Sequence, residues 1–410
     1  MKTQFLSAAR GLFLLLAVWM NVLPGVHAQA PGEAACYYLG DWPGKTTPGW
    51  NVEAQGLAHD QENWYIAQDL KIWRIPVWHD LNSNAEGLGF TNVLLAKTPL
   101  FAEDYYHFGD PECFEHGGQT FLLVPVEGAR DLEHGHRGAP HPAIALFRAD
   151  SLTFVGRDYL YEQGGAPWCA VDTNGNVYSS NFDVNNDYPI RKYAVNWANV
   201  IASGEFHLSA PEKIWLTNES ETVLNLPRVQ GGVITPSGTL LYLVAGYVKV
   251  LGGSDPALLD TDGIHAFDLN SGREVRRSDR HSGIFRFDWN PDFPVQEEPE
   301  GLTFWDLDDG RAPNISGQLH VLLLDNDAPD DDDILVKHYT STLHVDRSYN
   351  GTEIGSLREP FNTVNEANDR IWDGAQITIA SGLYAEALTF SKRIAVVPSG
   401  GPVTIGRIGR

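Results

Sequence analysis

Between about residues 50 and 340 apolar positions alternate with polar ones in short runs, and Asp, Asn, Gly or Pro breaks each run. The period is that of a strand. Convincing helical spacing is absent across this span. The same unit returns five times. It opens near Gln55 ("AQGLAHDQENWYIAQ"), at His107 ("HFGDPECFEHGGQTFLLVPV"), at Ala166 ("APWCAVDTNGNVYSSNF"), at Val229 ("VQGGVITPSGTLLYLVAG") and at Glu298 ("EPEGLTFWDLDDG"). Each unit is a short strand, a turn rich in Asp, Asn and Gly, a second aliphatic or aromatic strand, and then one or two more.

A repeat of about 50 to 70 residues made of strands suits a propeller blade. The pattern predicts an all-β fold, a five-bladed β-propeller over residues 31–342, with six blades as the alternative if one long unit hides two. The first strand of each blade then lines the central channel, which places Gly56, Gly109, Trp168, Gly231 and Gly301 innermost. The neighbouring positions Gln55, His107 to Asp110, Pro167 to Trp168, Gln230 and Glu300 are polar or aromatic where Val or Ile would satisfy a structural strand. They are expected to converge on one mouth of the channel.

The pattern changes near residue 343. Phe361, Val364, Ala367 and Ile371 recur at helical spacing, which predicts a short amphipathic helix followed by strands in "GAQITIASGLYAEALTFSKRIAVV". The other end reads as an export signal over residues 1–30. Lys2 and Arg10 precede the apolar run "GLFLLLAVWMNVL", and "VHAQA" offers small residues for cleavage. That run is shorter than the ~20 residues a membrane span needs. A secreted or periplasmic location is expected.

The net charge is −24, and without the basic N-terminal segment it is −26. Such a chain is repelled by nucleic acid and by anionic lipid, while neutral ligands and cations remain open to it. Motifs for serine hydrolases, zincins and nucleotide-binding loops are absent from the sequence.

Two resemblances follow from these motifs. Blade openings of the "EG" and "QG" type with a "VDTNGNVY" turn resemble the gluconolactonase-like, phytase-like and NHL-like secreted propellers, over roughly residues 36–340. In the first two groups acidic inner-strand residues hold calcium or another divalent ion, and Glu300 matches such a position. The segment "LHVDRSYNGTEIGSLREPFNTVNEAN" with the strands after it resembles the opening of a right-handed parallel β-helix of the pectate-lyase-like superfamily. That resemblance implies the first coils of an incomplete β-helix over residues 343–410.

Candidate chemistry concentrates at the channel. Asp110 and Glu300 are expected as a carboxylate pair across the mouth, with His107 as proton shuttle. The competing reading has both carboxyls hydrogen-bonded to backbone amides of neighbouring blades. Gln55, Trp168 and Gln230 are the candidate ligand contacts. The loop "DNDAPDDDD" brings Asp325, Asp327, Asp330, Asp331, Asp332 and Asp333 together, an oxygen density that suits Ca²⁺, or else a solvated acidic loop. Asp260 with Asp262, and Asp183 with Asp187, are weaker versions. His134, His136 and His141 form a second metal candidate in a Gly- and Pro-rich stretch. Most Trp residues, Trp64, Trp73, Trp78, Trp168, Trp215, Trp289 and Trp305 among them, suit blade packing first, with one or two left to stack on sugar rings at the mouth.

Three cysteines in an exported chain suggest one disulfide. Cys113 and Cys169 open adjacent units and are expected to pair, leaving Cys36 free, unless Cys36 closes the ring. Three functions remain. The first is a secreted ligand-binding propeller engaging a glycan or other small molecule, with a divalent cation at the mouth. The second is a metal-assisted hydrolase or lactonase using Glu300, Asp110 and His107. The third is a structural or adhesive surface module. An enzyme predicts converging carboxyls with shifted titration, a lectin-like module several shallow aromatic pockets, and a structural module a plugged channel.

Overall fold

The computed structural model describes residues 32–44, 47–128, 141–249, 260–280, 282–289, 296–325 and 332–406. The segment read as an export signal, and His134, His136, Asp327, Asp330 and Asp331, lie outside the described residues.

Five antiparallel sheets stand around one axis, which settles the blade number at five. Ala54–His59, Val229–Ile234 and Gln296–Phe304 are inner strands that contain the expected Gly56, Gly231 and Gly301, whereas in blades 2 and 3 Gly109 and Trp168 lie just ahead of the inner strands Glu112–His116 and Cys169–Val171. Every inner strand touches the next in the ring, and the fifth touches the first. The fifth blade is completed from the other end of the chain. Its outermost strand is Tyr37–Asp41, paired antiparallel with Asp333–Thr340. The ring is therefore closed by hydrogen bonds between two segments about 300 residues apart, Tyr37 opposite Thr340 and Asp41 opposite Lys337.

Strand alternation builds the core between blades rather than within one centre. On the second strand of blade 2, Leu122 and Val124 face blade 1 while Phe121 and Leu123 face blade 3. In blade 5, Leu319, Val321 and Leu323 face blade 4, and Leu322 and Leu324 face blade 1. Both faces of such a strand are covered, so "LHVLLLD" is buried at every position.

The same alternation overturns the expected disulfide. All three cysteines are free. Cys113 packs into the seam between blades 1 and 2, and Cys169 into the seam between blades 2 and 3. The Cys169 thiol donates to Leu123 O at 3.6 Å. The two side chains lie on opposite sides of blade 2, so adjacency in the ring does not bring the sulfurs together.

Among the described residues one α-helix interrupts the blades: Trp197–Ser203 in blade 3, capped by Asn196 and ended by Gly204 in the left-handed region. After blade 5 the chain forms a small parallel sheet of Thr342–Val345, Gln376–Tyr384 and Ala395–Ile405. The expected helix spans Val364–Arg370 and starts at Thr363, which accepts from Glu366 N and donates to the Glu366 carboxylate at 2.8 Å. Val364 and Ala367 on the helix and Phe361 and Ile371 beside it are buried in one core with blades 4 and 5. Trp372 joins that core, donating to Ala34 O at 2.8 Å and stacking on Tyr37. No helix among the described residues is long and apolar enough to cross a membrane.

Candidate functional site

The inner strands run the same way along the axis. Their starts form a front mouth and their ends a rear mouth. Between the two, the backbones meet. A Cβ on Gly301 would stand 2.6 Å from the Gly56 Cα, and one on Gly231 would stand 2.6 Å from the Gly301 Cα. Only glycine allows blades 1, 4 and 5 to approach so closely.

Asp110 fills the remaining space. It is fully buried. Its Oδ1 accepts from Leu57 N at 3.1 Å, and its Oδ2 from Gly232 N at 3.1 Å and Leu302 N at 3.3 Å. Its backbone bridges to blade 3, donating to Pro167 O at 2.8 Å and accepting from Cys169 N at 3.2 Å. One residue of blade 2 thus ties all four other blades. Burial raises its carboxyl well above the usual carboxylate range, against the pull of the three amides. Asp110 is committed to ring closure and does not face the mouth, so the Asp110–Glu300 acid pair expected across the channel is not formed.

Glu300 does stand at the front mouth. It is 3 % exposed. Among the described residues one hydrogen bond reaches its carboxyl, from Gln230 Nε2 at 3.0 Å on the neighbouring blade. Burial raises it well above the usual range, and Glu298, Asp69, Glu53 and Asp110 push the same way. Glu53 and Asp69 are each raised to about 7, by burial first and then by their acidic neighbours, Glu298 and Asp332 among them. Carboxyls crowded at one dehydrated mouth cannot all ionise together.

His107 belongs to this group. Its Nε2 is 3.2 Å from Asp69 Oδ1. Its Nδ1 is buried without a hydrogen-bond partner among the described residues. Burial lowers its affinity for a proton, with nearby Glu127 opposing. Gln55 is 8 % exposed on blade 1 and its side chain makes no hydrogen bond among the described residues. Of the residues expected at this mouth, the contacts join Gln230 to Glu300 and His107 to Asp69.

Trp168 departs from its expected place. Its ring lies over Gly232, whose Cβ would come within 2.4 Å of it, and its indole donates to Ser180 Oγ at 2.9 Å. It packs the seam between blades 3 and 4 and is fully buried, so it offers no face to a ligand. Among the remaining tryptophans, Trp78 and Trp215 are exposed, at 65 % and 43 %.

No trio of His, Cys, Asp or Glu side chains among the described residues is arranged to hold a metal. Asp325 and Asp332 are buried at the front side of blade 5, and Asp332 accepts from Glu53 N at 2.7 Å. Asp262 of the first weaker pair is already matched by the Arg228 guanidinium at 3.1 Å, and Asp183 of the second accepts from the Arg228 backbone amide at 3.2 Å. Asp260 is exposed beside Arg280, and Asp187 sits in an exposed turn. His141 stacks edge-on against Tyr161.

The rear mouth holds a residue the sequence pattern did not single out. Glu112, two residues beyond the Asp110 layer on blade 2, lines a cavity of about 220 Å³. Burial raises its carboxyl to about 8, against the amide of Cys113. Its place two residues beyond Asp110 was the available signal, but strand alternation alone does not say which mouth it reaches.

No protein-family model and no curated protein sequence matches the chain. Solved structures match remotely. "GH43 Endo-Arabinanase from Bacillus licheniformis" is 13 % identical, with a TM-score of 0.38 over 71 % of this chain and 94 % of that one. "Crystal structure of the GH43_1 enzyme from Xanthomonas citri complexed with xylose" is 11 % identical, with a TM-score of 0.41 over 72 % and 89 %. "Complex of KlAtg21 with coiled-coil of AgAtg16" is 10 % identical, with a TM-score of 0.33 over 67 % and 66 %. Matches this remote, to proteins so differently described, bear no functional weight.

Proposed function

We propose that the chain is an exported glycan-binding propeller that seats its ligand at the front mouth, on Glu300, Gln230 and Gln55. The observation that carries this reading is the Glu300–Gln230 pair, a buried carboxyl held at the channel mouth by one neutral amide from the next blade. A carboxyl kept uncharged beside two side-chain amides offers both donors and acceptors to a neutral polyol, without the cost of leaving a bare charge dehydrated. The small parallel sheet after blade 5 is, in this reading, the first part of a β-helix docked on the propeller.

A second reading is favoured by the raised carboxyls. Glu300, raised by burial, is suited to general-acid work, and Asp69 beside His107, close enough to push the Glu300 carboxyl up, would take the role the sequence pattern gave Asp110. A divalent cation remains part of the proposal through the aspartate loop at 325–333. Screening wild type and Glu300→Gln on an array of neutral oligosaccharides tests the binding reading. Loss of the retained glycans in the variant supports it, and identical profiles sink it. Mass spectrometry of any retained glycan after incubation separates hydrolysis from binding.

A further inference from the structure

The rear cavity is independent of the front mouth, because the Asp110 layer and the glycine contacts lie between them. All five blades line it. Its walls are Phe114, Val171, Val233, Ile234 and Phe304, and its polar groups are almost all engaged. Both nitrogens of His59 sit on carbonyls, Asp60 O at 2.9 Å and Phe304 O at 3.1 Å. Asp172 accepts from Asn174 N, Asn176 N, Asn176 Nδ2 and Tyr178 Oη. Thr235 Oγ1 accepts from Leu240 N.

Glu112 is the exception. Among the described residues its carboxyl receives one hydrogen bond, at 2.9 Å, from the amide of its own neighbour Cys113. No lysine or arginine lines the cavity. A half-buried carboxyl in an apolar cavity with one weak partner is costly to ionise, and a cation brought from outside would lower that cost. A cavity of ~150 Å³ accommodates a benzene ring. The rear cavity, at about 220 Å³, takes a ring with a short arm. The chain's charge of −24 draws cations and repels anions.

We propose that the rear mouth is a second small-molecule site, which takes a primary ammonium carried on a compact apolar body and seats the cation on Glu112. The Glu112 proton leaves to solvent as the ammonium arrives, so binding releases protons below pH 8 and tightens as the pH rises toward that value.

The test is calorimetric titration of the full chain with phenethylamine, and with benzyl alcohol and phenylacetate as neutral and anionic matches. The expected result is saturable one-to-one binding of the amine alone, at least tenfold weaker in Glu112→Gln and unchanged in Glu300→Gln. Buffers of different ionisation enthalpy should report release of about one proton at pH 6.5 in wild type, a readout that stands even if Glu112→Gln does not fold. Failure of the amine to bind, equal binding of the alcohol, or binding without proton release overturns the proposal. None of these outcomes bears on the glycan reading, which depends on Glu300.

Discussion

Gln230 Nε2 donates to Glu300 Oε1 at 3.0 Å, and this bond crosses from the fourth blade to the fifth at the front mouth. A strand that opens on Glu300 is explained by that partner. The carboxyl is buried, held well above the usual carboxylate range by that burial, and matched to a neutral amide. Glu300→Gln should therefore shift the melting temperature equally in calcium and in EDTA. A shift seen only in calcium would make Glu300 a metal ligand, since a bound ion stabilises the folded state by mass action.

Asp110 is the keystone of the ring. Asp110→Ala leaves three buried amides without an acceptor, at about 1–3 kcal/mol each. The expected loss is on the order of 3 kcal/mol or more, read as a lower urea midpoint with unchanged slope. Gly301→Ala should also destabilise, because its Cβ meets Asp110 Oδ1 at 2.3 Å, while Gly44→Ala, whose nearest contacts are at 3.7 Å, should be close to neutral. A midpoint for Asp110→Ala within error of wild type would refute the keystone role.

Stability should fall as the pH rises from about 6.5 to 8. Glu53 and Asp69 titrate near 7 and Glu112 near 8 in the folded chain, against 4.5, 3.8 and 4.5 unfolded. In that window the folded state holds protons the unfolded state has released, so raising the pH favours unfolding. Below 6.5 the buried histidines oppose the trend, His338 among them, lowered to about 4. Denaturation midpoints at half-unit intervals check this, and Glu112→Gln should flatten the upper part of the curve. A midpoint that rises through the window would contradict the assignment.

Trp372 ties the parallel sheet to the N-terminal segment that closes the ring. Trp372→Ala should cost about 3 kcal/mol or more, as truncation of a buried tryptophan does. Limited proteolysis should then release the C-terminal segment faster than in wild type. An unchanged cleavage rate would mean that the sheet does not depend on this contact.

Much of this architecture was legible in the sequence. Alternating strands with turn residues marked five units, and the glycines beside Gln55, Gln230 and Glu300 marked the inner strands, because only glycine fits where blades touch at the axis. What was not legible depends on contacts between distant segments. Asp110 reaches amides 53, 122 and 192 positions away. Cys113 and Cys169 share a ring neighbourhood but occupy different seams, which unit order does not reveal. Trp168 looks like a mouth residue until Gly232 is seen beneath its ring. Tyr37–Asp41 reads as a first strand and serves as the last.

The front mouth as a glycan site is tested most directly by calorimetric titration of a neutral oligosaccharide retained on the array. Wild type is compared with Glu300→Gln, Gln230→Ala and the rear-mouth control Glu112→Gln. The account predicts affinity at least tenfold weaker in the first two variants and unchanged in the third. Equal affinity in wild type and in both front-mouth variants, with all proteins folded, would contradict it.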